Sequence, residues 1–65
     1  MGKILLRIYQ VVEEKGGLQG RLHLANKTKI SRKQAATIRD KAAIVKQFKN
    51  VAREILQIEI DDLLK

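Results

Sequence analysis

No cysteine, proline or tryptophan occurs among the 65 residues, and tyrosine, phenylalanine and histidine appear once each. Without cysteine, neither a disulfide nor a thiolate zinc site can brace the fold, so stability must come from apolar burial and from any self-association. His23 has no carboxylate near it at metal-ligand spacing, so no metal site is expected within the chain, and no cofactor. Tyr9 and Phe48 both sit on apolar stripes, which makes them core residues rather than stacking platforms for single-stranded bases. Charge-driven binding to structured RNA stays open.

Long apolar runs are missing too. None approaches the ~20 residues of a membrane span. The start Met1-Gly2-Lys3-Ile4-Leu5-Leu6 lacks the apolar stretch and cleavage site of a secretory signal, and Leu6 stands where myristoylation of Gly2 would want Ser or Thr. A cytoplasmic protein is the expectation, with a basic helix lying on an anionic membrane surface the weakest of the alternatives.

Catalytic constellations are equally scarce. Gly16-Gly17-Leu18-Gln19-Gly20 lacks both the Lys-Ser/Thr ending of a phosphate loop and dinucleotide-binding spacing, and reads as a turn. Ser31 has no base close in sequence, and on a helix the adjacent Asp61 and Asp62 diverge by about 100°. A non-enzymatic chain with no catalytic residue and no small-molecule substrate is therefore expected.

What is present is helical periodicity. The apolar fraction of 45% suits a single folded domain over residues 1–65. Ile4, Ile8 and Val11, with Leu5, Tyr9 and Val12 beside them, predict a first helix that Lys15, Gly16 and Gly17 close. Arg21 to Thr28 reads as a short second helix. Ser31-Arg32-Lys33-Gln34 matches a capping box and opens a third, with Ala35, Ile38 and Ala42 on its buried side and Asp40 placed to cap a fresh start at Lys41. Ile44, Phe48, Val51, Ile55 and Ile58 recur in steps of four and three along a long final helix. Leu56 to Asp61 also alternates with period two, so a strand competes with helix there. The expected architecture is all-α, a small three- to four-helix domain with a long C-terminal helix. Val45, Ala52, Leu56 and Leu63 widen the final apolar arc beyond one short neighbour, which assigns the Ile44 to Ile58 stripe to a partner helix or a second copy.

Charge is segregated along the chain. Its net value is +7. Residues 21–53 hold ten Lys or Arg against one acid, Asp40, whereas residues 54–65 are net acidic through Glu54, Glu59, Asp61 and Asp62. Solvated lysines on helix faces are common, but a clustered excess of this kind is what releases counterions from a phosphate backbone. A polyanion, with nucleic acid first, is the expected partner.

Within the basic region, Leu24, Ala25, Ile30, Ser31, Ala35 and Ile38 stand in a pattern that resembles the helix-turn-helix of DNA-binding proteins. The resemblance covers Arg21 to Asp40 and picks out no specific family. In that motif a small residue lets the second helix approach, an apolar residue plugs the turn, and two more hold the recognition helix; Ala25, Ile30, Ala35 and Ile38 occupy those places. The sequence departs from it at Thr28, where an apolar residue is usual, and at Lys29, where glycine is usual. The resemblance implies that Arg32, Lys33 and Thr37 face the bases of duplex DNA, while Arg21, Lys27 and Lys29 meet the backbone. It further implies a small homodimeric DNA-binding protein, a transcriptional regulator in type. The alternative is a helical protein-interaction module docking through the Ile44 to Ile58 stripe, with charge steering the encounter.

Overall fold

A single glycine sets the architecture. In the computed structural model, which describes residues 4–64, Gly17 sits at φ 67°, ψ −163°, a combination essentially reserved for glycine. It breaks α1 (Ile4–Thr28) into two helical arms, residues 4–16 and 18–28. The second arm therefore starts at Leu18, earlier than Arg21, and takes in Gly20, a poor helix former that lies buried against Val12. The Gly2 reading lies outside the described residues.

The arms fold back on one another. At Gly20 an added Cβ would lie 3.1 Å from the Val12 side chain and 3.2 Å from the Val12 carbonyl oxygen, so the absence of a side chain there is what permits the approach. Arg21 spans the same gap to Glu13 at 3.3 Å. Gly17→Ala is expected to cost about 1–3 kcal/mol, the range for forcing a side chain into this backbone region. The check is the denaturant midpoint of the variant, and a midpoint unchanged within error would show that the chain reverses without Gly17's special conformation.

α2 is a single turn, Arg32–Ala35, and α3 (Ala42–Leu56) is a long uninterrupted helix. α3 lies across both arms of α1. The core joins Leu5, Ile8, Tyr9 and Val12 from the first arm, Leu24 from the second, Ala35 from α2, and Phe48, Val51 and Ala52 from α3. The Tyr9 and Phe48 rings meet edge to face, their centres 5.6 Å apart, the geometry that ring quadrupoles favour. The radius of gyration, 10.3 Å, is close to the about 10.7 Å of a compact chain of this length.

The final helix is shorter than its apolar pattern predicted. Gln57 adopts φ 58° and closes α3, its amide donating to the Arg53 carbonyl at 2.7 Å. Beyond it the chain runs irregularly to a 3-10 turn, Asp61–Leu64, and Ile60 is buried on the way. The alternating segment is thus neither strand nor continued helix, and no strand occurs among the described residues. Its acids turn back on α3: Asp61 meets Lys49 at 3.3 Å and Glu59 meets Arg53 at 3.5 Å.

The assignment of the C-terminal stripe to an interface is corrected by this packing. Phe48 and Val51 are buried inside the chain, and Ile44 and Ile55 are half-buried against the same core. Ile58 lies past the end of the helix, 45% exposed, and so is not on the stripe at all. Along the sequence α3 has one short helical neighbour. Because α1 is broken at Gly17 it supplies two, and the returning C-terminal segment covers more of the arc. No described helix is long and apolar enough to cross a membrane.

Candidate nucleic-acid interface

The second arm of α1 ends in a turn that two hydroxyls hold from inside. Thr28 is buried, donates its hydroxyl to the Leu24 carbonyl at 2.8 Å and receives the Ile30 amide at 3.3 Å. Tyr9, buried in the first arm, donates its phenol to the Ile30 carbonyl. Loss of hydration pushes the Tyr9 phenol above its ordinary value, against smaller lowering effects from Thr28 and the Arg21 charge, so it stays protonated and donating at neutral pH. A polar residue at position 28 thereby supplies the backbone with partners that an apolar one could not.

Lys29 follows at φ 63°. This is the left-handed position that closes a helix, where glycine is the unstrained choice. Lys29→Gly should stabilise the fold by roughly 0.5–1 kcal/mol through relief of that strain, while removing a cation from the candidate surface. Thermal unfolding read beside duplex affinity checks both halves; a variant no more stable than the parent would mean that Lys29 sits there at no cost.

Ser31 then opens α2 with the expected reciprocal cap. Its hydroxyl accepts from the Gln34 amide at 3.2 Å, and the Gln34 side-chain oxygen accepts from the Ser31 amide at 2.9 Å. The turn brings Ala35 into the core, and Ala25, Ile30 and Ile38 are partly buried against the same core.

The helix that should follow does not extend. α2 has four residues, a rise of about 6 Å against a major groove about 12 Å wide. The Gln34 carbonyl receives the amides of Thr37 and Ile38 and also the Thr37 hydroxyl, at 2.9 to 3.1 Å. There the ladder ends. Asp40 does not cap α3, whose N-cap Lys41 makes no side-chain hydrogen bond; its carboxylate instead accepts the amide of Ile4 at 3.0 Å, at the start of α1. Residues 39–41 are not helical.

These facts re-sort the candidate residues. Arg32 and Lys33 are exposed on α2, and Lys27 and Lys29 are exposed just before it. Thr37 is exposed but its hydroxyl is spent within the turn. Arg21 is half-buried and paired with Glu13, so it ties the arms together and is no free phosphate contact. Arg39, Lys41 and Lys46, which the motif did not single out, are exposed on the connection to α3 and its first turns. Residues 27–46 thus expose seven cations, and Asp40, their sole acid, is held at the α1 N-terminus. Position in a helical motif hid these later three; net charge per segment was the signal that could have found them. Among the described residues no group of three or more metal-binding side chains converges. Comparison of the chain with protein-family models, with curated proteins and with solved structures gives no match.

Proposed function

We propose that this chain binds duplex nucleic acid, DNA in the first instance, through its phosphate backbone, with Lys27, Lys29, Arg32 and Lys33 as the contacting surface and Arg39, Lys41 and Lys46 beside it. The observation that carries the reading is the exposed run of cations over residues 27–46, whose sole acid is engaged elsewhere. Such a surface neutralises phosphates and releases their counterions without reading sequence. The shortness of α2 favours backbone contact over base reading by Arg32, Lys33 and Thr37. With the α3 stripe spent on α1, the proposal carries no requirement for a homodimer.

The test is fluorescence anisotropy with a GC-rich and an AT-rich duplex at low salt, for the parent, Lys27→Ala and Arg32→Ala. Both variants should lose affinity to a similar degree on both duplexes. A loss for Arg32→Ala confined to guanine-containing sites would restore base reading, and no binding of either duplex at ~50 mM salt would end the nucleic-acid reading.

A further inference from the structure

The second arm of α1 turns part of its apolar side to solvent. Leu18 and Leu22, one helical turn apart, are 56% and 47% exposed, while Leu24 and Gly20 of the same arm face inward. Leu22 stands at the edge of an open groove of about 560 Å³ between the two arms of α1 and α2. Leu6, Ala25 and Ala36 complete its apolar floor. Arg21, Arg32 and Lys33 stand around it. Among the described residues no carboxylate lines the groove, and Arg21 pairs with Glu13 at 3.3 Å.

We propose that this groove is a docking site for an acidic amphipathic helix of another protein, whose aliphatic side chains rest on Leu6, Leu22 and Ala25 and whose carboxylates meet Arg32 and Lys33. The choice of occupant follows from charge. A second copy of the chain, placed about a twofold axis, would set the same cations against themselves and bring two +7 bodies together. The chain's own acidic segment is already engaged on α3 through Asp61 and Glu59. A nucleic acid satisfies the cations but leaves the aliphatic floor uncovered, and the nearest ring, Tyr9, is buried and unable to stack on a base. An apolar strip on one face with carboxylates along its border is what covers both kinds of surface, as in other helix-in-groove contacts. The site stands independently of duplex binding but shares Arg32 and Lys33 with it, so the two ligands exclude one another.

The experiment uses the full chain and three synthetic helical peptides: one with leucines on one face and glutamates beside them, one with the leucines replaced by serine, and one with the glutamates replaced by lysine. Amide shift mapping and anisotropy should show the first peptide binding at the second arm of α1 and α2, with the other two at least about tenfold weaker, the scale of losing one buried anchor. Leu22→Ser, at an exposed position that leaves the core intact, should weaken the first peptide by a similar factor. Lys33→Gln and Gln47→Glu each lower the net charge by one; Lys33→Gln should weaken binding, and Gln47→Glu, on α3 away from the groove, should not. Equal binding of the leucine and serine peptides, shifts centred on α3, or equal effects of the two charge variants would overturn the proposal. So would a concentration-dependent dimer of the free chain that Leu22→Ser dissociates, since a second copy would then be the occupant. Loss of peptide binding with duplex binding retained, or the reverse, separates this site from the proposed function.

Discussion

Phe48→Ala is expected to unfold the chain. Replacing a buried phenylalanine by alanine costs about 3–5 kcal/mol, and a core of fewer than 80 residues supplies about the same in total. Phe48 is fully buried, packs edge to face on Tyr9 and joins α3 to both arms of α1 through the core it shares with Leu5 and Leu24. Ile58→Ala, beyond the α3 cap and 45% exposed, should change stability by no more than about 0.5 kcal/mol. The pair discriminates between two meanings of the same stripe. If Phe48 belonged to a dimer interface, Phe48→Ala would yield a helical monomer. Loss of the far-ultraviolet helical signal at any protein concentration identifies it as core, and a folded, monomeric Phe48→Ala would return it to an interface.

Duplex binding should collapse with salt. Four backbone contacts, from Lys27, Lys29, Arg32 and Lys33, give a slope of log affinity against log salt of about −3.6, so that raising salt from about 50 to about 200 mM weakens binding by roughly two orders of magnitude. Each single alanine substitution among the four should make the slope shallower by about 0.9. Arg21→Ala should leave the slope nearly unchanged, because its guanidinium is turned to Glu13. A slope near zero for the parent would mean that phosphate neutralisation is not what holds the duplex. A full unit lost on Arg21→Ala would mean that the ion pair opens to serve it.

The all-α class and the helical segments were legible because apolar periodicity and caps act locally. The Ser31-Gln34 capping box needs four consecutive residues and nothing else, and it forms as expected. The apolar stripe of the first helix was legible for the same reason. What escaped the sequence were features decided by a distant partner. Gly16 and Gly17 announce a stop, but whether the chain then leaves or reverses depends on Gly20 meeting Val12. Asp40 is an ordinary cap for the helix that follows it in sequence, and it caps a helix far behind it instead. Thr28 looked like a fault in the helix-turn-helix pattern until Tyr9 and the Ile30 backbone were brought beside it.

The exposed cations were legible as charge. Counting cations by segment marked residues 21–53 as the basic region, and seven of its cations, from Lys27 to Lys46, are exposed. Of the residues the motif marks, Arg21 is paired with Glu13 and the Thr37 hydroxyl donates to the Gln34 carbonyl, partners that no local pattern announces. The breadth of the α3 stripe was read as a shortage of neighbours, because a helix broken by glycine counts once along the sequence but twice in space.

The two ends of the contact between Ile4 and Asp40 lie 36 residues apart, whereas Glu13 and Arg21 are separated by 8. This difference gives the chain an order of events during its synthesis. The hairpin of α1 closes a short loop on a sub-microsecond to microsecond scale and can form as soon as its own residues are free. It then waits with Leu5, Ile8 and Tyr9 uncovered until α3 arrives. A ribosome-bound chain stopped before α3 would therefore leave Leu5, Ile8 and Tyr9 without their α3 partners, and apolar surface exposed in this way is what makes incomplete folds prone to aggregate.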